Sequence, residues 1–409
     1  MTKNHLHSYE ETIERVLAAA EPVGTEKVPL ANAAGRVLAK PIRADRDLPP
    51  FNRSERDGWA VRSADLAGGV GTLRWDGGVV RAGEGCGEPL LPGSCVRIMT
   101  GAPLPEGADA VVMVEESRTR EHSVDLKDGE IAPMRHVHEA GVDARKGDEL
   151  VPSGVDLTAG RIAVGASVGA AEVVVRRRVR VSVIVTGDEI VPCDSTPAAA
   201  RIRDGNGPAA RAALGALRWV EFASVRMAGD DVEGVKSAVG EALERSDALL
   251  LSGGVSMGDR DHVPEALERS GVKGILHKAA IRPGKPFWFG AAGGKIPVFG
   301  LPGNPFSFQV TMREIALVGL RRLAGFSEAR PADLLLPSCE CIEKKLDLRQ
   351  FLPGVLAIAN GRTAVKSLPH HGSGDFVGVS RAAGVLVLPE GPRCVERGEL
   401  VVFHSWSLP

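Results

Sequence analysis

Apolar and polar residues along this chain change rhythm several times, and each rhythm predicts a different kind of element. Ser8 to Ala20 (SYEETIERVLAAA) repeats its apolar residues at helical spacing, so that Ile13, Val16, Leu17 and Ala20 share one face. Ser8 stands where it can cap this helix, with Glu11 completing a capping box. From about Asp45 to Ala140 the pattern turns to short strands divided by glycine and proline, among them TLRW, GSCVRIM and ADAVVMVEE. That predicts a compact β domain inserted into the first one. Val151 to Ala163 (VPSGVDLTAGRIA) returns to turn, cap and helix. Between about Val179 and Gly325 strands alternate with helices, the signature of a parallel sheet. RPADLLLP opens a final region of short strands (VLAIA, TAVKSL, GVLVLPEG, ELVVFH), which predicts a small β-barrel or sandwich. The expected fold is α/β and multidomain: residues 1–45 with 141–177, an inserted β domain at 46–140, a parallel α/β domain at 178–327 and a C-terminal barrel-like domain at 328–409.

Several strands in the α/β region end in turns that carry chemistry. Ala248 to Leu251 reads as a buried strand end, because four apolar residues between Asp247 and Ser252 are too few for a helix. It breaks into the glycine-rich SGGVSMGDRD, and helical spacing resumes from His262. A strand, a glycine loop and a helix form the arrangement in which backbone N–H groups face an anion. Asp259 and Asp261 add hard oxygen ligands suited to magnesium shared with phosphate. A tight βα turn with solvated carboxylates explains the same residues, so this loop alone leaves both readings open. Two further strands sharpen the picture. Arg178 to Val185 ends in Thr186-Gly187-Asp188-Glu189, and Ile296 to Leu301 breaks at Pro302-Gly303-Asn304-Pro305 before a long amphipathic helix from Phe306 to about Ala324. Ile281 to Phe287 (IRPGKPF) is a basic turn whose two prolines stiffen the backbone holding Arg282 and Lys285. In an open parallel sheet such loops gather on one edge, where ligands bind. Acidic groups for a cation and basic groups for an anion should therefore converge.

Six stretches carry a family resemblance: LPPFNRSERDGWAV from Leu48, RIMTGAPLPEGADAVVMVEE from Arg97, TGDEI from Thr186, SGGVSMGDRD from Ser252, RPGKPFWFG from Arg282 and GLPGNPFS from Gly300. In order and content they resemble the molybdopterin molybdenumtransferase family, the MoeA-like and gephyrin-E-like molybdenum insertases, from about residue 8 to the C-terminus. The resemblance implies a discontinuous, elongated first domain that forms a homodimer. It also implies a chemistry, in which molybdate is inserted into the dithiolene of adenylylated molybdopterin and AMP is released.

Residue by residue, the resemblance implies catalytic parts for Asp57, Thr100, Glu189, Asp230, Asp261 and Lys278. It implies that Ser252, Gly253, Gly254, Ser256, Arg282, Lys285, Pro302, Pro305, Ser307 and Arg349 hold the substrates, and that Asp188, Glu189 and Asp261 are placed for Mg2+. Plainer readings stand beside these. Asp57 and Thr100 are ordinary turn formers by pattern, and Asp230 suits a cap for a helix from Val232 to Arg245. Three cations in one proline-stiffened stretch, Lys278, Arg282 and Lys285, could surround a tetrahedral dianion. Ser307 opens the Phe306 helix, where an oxyanion gains from free N–H groups. Asn52, Trp59 and Arg282 depart from the family pattern, which more often has aspartate, tyrosine or phenylalanine, and lysine. His370-His371 reads as a solvated loop. A molybdopterin adenylyltransferase and a degenerate scaffold relative remain the competing functions.

Composition adds exclusions. A formal net charge of −2 gives no electrostatic case for nucleic acid or a membrane surface, and a single tyrosine argues against base-stacking platforms. The start MTKNHLHSYEE lacks a basic-then-apolar signal pattern, and no apolar run is long enough to span a bilayer. The six cysteines are scattered, with Cys339 and Cys341 the only close pair, so reduced thiols in a cytoplasmic setting are expected rather than a zinc site. Molybdopterin adenylyltransferase and molybdoenzyme or chaperone acceptors are the partners that the resemblance suggests.

Overall fold

A computed structural model describes residues 6–68, 71–126, 130–255, 262–330, 332–359 and 361–406. The chain divides into two compact units, one of residues 1–40, 153–162 and 172–409, the other of residues 41–152 and 163–171. This division is coarser than the four expected domains. The expected insert at 46–140 lies within the second unit.

The strands of that second unit are short, and the end of helix Ala159–Ser167 belongs to it as well. Val79–Val80, Val96–Ile98, Gly58–Val61 and Ala110–Met113 form a four-stranded sheet in that order, and Thr72–Arg74, Ser123–Leu126 and Ser117–Thr119 a three-stranded one. Alternating side chains of both meet in one core, in which Trp59, Val61, Leu66, Val112 and Val124 are buried.

In the first unit, helix Tyr9–Ala19 buries Tyr9, Thr12, Ile13 and Val16. Ser8 Oγ accepts from Glu11 N–H at 3.1 Å as the cap pattern predicts, while the Glu11 carboxylate bonds His7 and Arg15. The α/β sheet has six strands: β1 (Val179–Thr186), β2 (Val220–Ala228), β3 (Ala248–Ser252), β4 (Val272–His277), β5 (Trp288–Ala292) and β6 (Ile296–Leu301), arranged 2-1-3-6-5-4. β2, β1, β3 and β6 are parallel, and β5 and β4 complete one edge antiparallel. Val181, Val183, Leu250 and Phe299 are fully buried on one face, and Ile184, Leu249, Leu251 and Val298 belong to the other core. Burial on both faces explains why these strands read as continuous apolar runs.

The single helix expected after Pro305 is interrupted. Pro305–Thr311 and Leu317–Leu323 flank a π-helical segment, Met312–Ala316, that widens the turn around buried Glu314. The C-terminal region is barrel-like. Strands Arg349–Ala359, Gly384–Leu388, Leu400–Ser405 and Leu334–Pro337 follow one another, Arg362–Ser367 pairs with Arg349–Ala359, and a bridge from Ser338 to Val365 closes the circuit. Its other edge is Ile281–Arg282, which pairs parallel with Arg349–Ala359. This pairing stitches the basic turn onto the C-terminal sheet. Among the described residues, no helix is long and apolar enough to cross a membrane.

Candidate active site

Four parallel strands deliver four turns to one edge. β1 leads to Gly187-Asp188-Glu189, β2 to Gly229-Asp230-Asp231, β3 to Gly253-Gly254 and β6 to Pro302-Gly303-Asn304-Pro305. Gly253 and Gly254 have positive φ angles of 97° and 66°. A Cβ at Gly253 would lie 2.8 Å from Thr186 O, and one at Gly254 would lie 2.3 Å from Val263 Cγ2, so neither turn position accepts a side chain. Asn206, the first residue of helix Asn206–Gly215, ties these loops together. Its Nδ2 donates to Ser252 Oγ and to Gly303 O, both at 2.8 Å. Gly253 N–H donates to Leu301 O at 3.0 Å. The loops enclose a chamber of about 430 Å³, lined by Glu189, Asp230, Ser252, Gly253, Gly254, Pro302 and Pro305 together with Asn206.

Asp188 and Asp230 are locked to each other. Asp188 Oδ1 accepts from Asp230 N–H at 3.1 Å, and Asp230 Oδ2 accepts from Asp188 N–H at 3.2 Å. The cap of helix Val232–Leu243 is Asp231, which accepts from Gly234 N–H at 2.7 Å. Capping therefore does not consume Asp230, contrary to the simple pattern reading: the helix begins at Val232 as expected, and the residue directly before it, Asp231, is the cap. Among the described residues, no lysine or arginine forms an ion pair with Asp188, Glu189 or Asp230. Three uncompensated carboxylates with oxygen-only donors suit a hard cation. No three His, Cys, Asp or Glu side chains among the described residues are spaced to hold an ion by themselves. Asp188, Glu189 and Asp230 thus offer hard oxygen donors on this edge without forming a closed metal site of their own among the described residues. Ser256, Asp259 and Asp261 lie outside the described residues.

A second chamber of about 450 Å³ adjoins the first, and Pro286, Pro302 and Asn304 belong to both walls. Arg282 and Lys285 line it, with Ser307, Gln350, His370 and Ser373. Asn304 Nδ2 donates to Ser373 Oγ at 3.0 Å, and Phe306 N–H donates to Ser373 O at 3.1 Å. Ser307 is buried, and its carbonyl accepts from Thr311 Oγ1 at 2.8 Å. His370 is not simply a loop histidine, because its ring stands edge-on to Phe306 with centroids 5.8 Å apart. His371 N–H is held by Asp375 instead.

Lys278 and Arg349 do not line this chamber. Lys278 adopts a φ of 72°, in the left-handed region that costs most side chains energy. Its N–H donates to Phe287 O at 2.7 Å, and its carbonyl accepts from His7 N–H at 3.2 Å. Arg349 stacks over Tyr9, with its Cζ 4.3 Å from the ring centroid, and donates to Glu10 at 3.0 Å and to Glu390 at 3.3 Å. It lines a separate cavity, with Tyr9, Glu10, Arg330 and His404. Arg349, expected beside Arg282 and Lys285, is thus committed elsewhere.

Asp57 and Thr100 belong to the second unit and meet there. Strands Gly58–Val61 and Val96–Ile98 pair Gly58 with Ile98, which brings the residues just beyond them together. Asp57 Oδ1 accepts from Thr100 N–H and from Thr100 Oγ1, both at 2.7 Å. Those two bonds, the backbone one first, hold the Asp57 carboxyl below its ordinary pKa. The departures nearby are accommodated: Asn52 Oδ1 accepts from Ala140 N–H, and buried Trp59 donates to Ser117 Oγ. Sequence reasoning missed Asn206, Gln350 and Ser373. The run RIRDGNGP holds Asn206 among turn-forming residues, but a carboxamide there has no pattern that marks it as a tie between distant loops.

A parallel sheet with paired carboxylate turns, a glycine loop and a cationic chamber on one edge defines an α/β protein of the class that gathers its strand-end loops around a ligand cleft. Comparison with known proteins places it more closely. Residues 7–169 match the MoeA N-terminal region (domain I and II), residues 182–322 the probable molybdopterin binding domain, and residues 340–406 the MoeA C-terminal region (domain IV). The molybdopterin molybdenumtransferase of Staphylococcus aureus strain Mu50 is 30% identical over 394 residues, covering 96% of this chain and 93% of its own. That of Staphylococcus epidermidis is 29% identical over 397 residues, covering 96% and 94%. A molybdopterin biosynthesis MoeA protein from Pyrococcus horikoshii matches with a TM-score of 0.77 and 30% identity, over 98% of this chain and 99% of that one. A second structure from Pyrococcus horikoshii OT3, at 24% identity and a TM-score of 0.81 over the same shares, has the same fold. The chain belongs to the MoeA family, and its role lies in molybdenum cofactor biosynthesis.

Proposed function

We propose that this chain is a molybdopterin molybdenumtransferase that transfers molybdate to the dithiolene sulfurs of adenylylated molybdopterin as the adenylate leaves as AMP. The observation that carries this reading is the pair of adjoining chambers, one acidic and glycine-lined, the other cationic, with Pro286, Pro302 and Asn304 between them. The acidic chamber suits the adenylate and pyrophosphate. There Asn206 fixes the spacing of Ser252 and Gly303. Mg2+, when bound near Asp188, Glu189 and Asp261, would neutralise phosphate charge. The cationic chamber suits molybdate, with Arg282 and Lys285 supplying charge and Ser307 a hydroxyl. Positioning and electrostatics, not a covalent enzyme intermediate, do the chemistry in this scheme.

The reading extends to assembly and setting. Asp57 and Thr100 act as a second group of functional residues, supplied by one copy of a homodimer to the site of the other. Molybdopterin adenylyltransferase provides the substrate and molybdoenzymes or their chaperones receive the product. A cytoplasmic location is part of the same proposal. The deciding measurement is single-turnover AMP release from adenylylated molybdopterin with and without molybdate. Release should depend on molybdate and Mg2+. Adenylylation of molybdopterin from ATP, without molybdate-dependent release, would instead identify an adenylyltransferase.

A further inference from the structure

We propose that Gln350, rather than its neighbour Arg349, is the ligand that the C-terminal sheet contributes to the oxyanion in the cationic chamber. The inference rests on the reading of that chamber as the molybdate site. Strand geometry makes the two neighbours alternatives, because successive side chains along a strand point to opposite faces. Arg349 faces Tyr9, Glu10 and Glu390, and each of its charged contacts is satisfied there. Gln350 faces the chamber.

The parallel ladder fixes where Gln350 sits. Ile281 is the register partner of Arg349, and Arg282 is the register partner of Gln350. Arg349 N–H donates to Ala280 O at 3.0 Å, which anchors that register at its start. Arg282 and Gln350 are therefore cross-strand neighbours on the wall that Lys285 and Ser307 complete. Among the described residues, none of the side chains of Arg282, Lys285 and Gln350 has a hydrogen-bond or ion-pair partner. Each remains available to a ligand. The carboxamide offers two N–H donors to a tetrahedral oxyanion and adds no charge. The two cations carry the electrostatics and Gln350 fixes the orientation. Arg349 is then a structural residue: its tie to Glu10 joins the strand to the first helix, and neither that tie nor the one to Glu390 reaches the chamber.

The test is the molybdate dependence of AMP release in four full-length variants, with melting temperature measured alongside. Gln350→Ala should raise the half-saturating molybdate concentration about tenfold, the scale of one hydrogen bond to a charged group. Gln350→Glu should raise it further, since a carboxylate would face the oxyanion directly. Arg349→Met should lower the melting temperature but move molybdate half-saturation by less than about threefold, well under one such bond. Lys285→Ala tests the underlying reading. If it leaves molybdate dependence unchanged, the chamber is not the oxyanion site. If it raises half-saturation while Gln350→Glu does not, or while Arg349→Met matches Gln350→Ala, the chamber stands and the assignment of Gln350 is overturned.

Discussion

Replacing Asn206 with alanine should loosen the loops on the sheet edge without unfolding the sheet. The side chain is 8% exposed and its Nδ2 makes two bonds of 2.8 Å, to Ser252 Oγ and Gly303 O. Each such bond contributes roughly 1 kcal/mol net, so the closed arrangement of the loops should lose about 2 kcal/mol. That corresponds to about a thirtyfold rise in the population of locally open loops. The Gly253 N–H to Leu301 O bond remains, so opening should stay confined to the turns after β3 and β6. Amide hydrogen exchange reads this directly, because exchange through local opening follows the free energy of that opening. Peptides covering residues 250–255 and 300–306 should lose protection by up to that factor. Peptides from β1 and β2 should keep theirs, and the half-saturating concentration of adenylylated molybdopterin should rise. Unchanged exchange in the two loops, or equal loss of protection across the whole sheet, would refute the argument that Asn206 acts as a local tie.

Three further outcomes follow from the geometry. Glu189→Gln should raise the magnesium concentration needed for half-maximal AMP release while leaving the melting temperature within about 2 °C, since an exposed turn carboxylate rarely matters to stability; an unchanged magnesium titration would remove Glu189 from the cation's surroundings. On the proposed homodimer with sites shared between copies, mixed dimers of Asp57→Ala and Lys285→Ala chains should show more activity than either variant homodimer, and no recovery in verified heterodimers would overturn the shared site. His404 should make stability depend on pH. Burial alone would lower its pKa, but Glu314 at 2.6 Å on Nδ1 and then Asp333 at 2.8 Å on Nε2 raise it to about 9. A raised folded-state pKa means the contribution is complete below about pH 6.5, the unfolded value, and is lost as pH rises through about 9. On the order of 3 kcal/mol is involved. His404→Gln should flatten the fall of melting temperature between pH 6.5 and 9, and an equal slope in the variant would show that other groups cause it.

The elements of the α/β region were legible because their signals are local. Leu249, Leu250 and Leu251 form a fully buried run between a charge and a serine, and the turns after them announce themselves through glycine and proline. The convergence of TGDE, SGG and PGNP was also legible, since parallel topology sends all three to one edge. What escaped was side-chain direction. Nothing in LRQF says which of two adjacent polar residues faces the chamber, because register with Ile281–Arg282 decides it. The same blindness affected Asp230 and Asp231: the helix starts at Val232 as expected, yet the aspartate directly before it, not Asp230, is spent as the cap. The π-helical turn around Glu314 was invisible for a related reason. Its partners, Tyr9 and His404, lie 305 and 90 residues away in the chain.

The two-residue strand Ile281–Arg282 has a consequence for anyone who would cut this protein into modules. A fragment ending near residue 327 looks natural, because it would keep every strand of the α/β sheet. It would also strip away the parallel neighbour of Ile281–Arg282 and leave backbone donors and acceptors bare beside a fully buried isoleucine. Bare edges of this kind recruit other chains. The truncated piece should keep its acidic chamber and the loops around it, yet lose the Gln350, His370 and Ser373 wall of the other one. It would be half a receptor with an adhesive seam, prone to self-association.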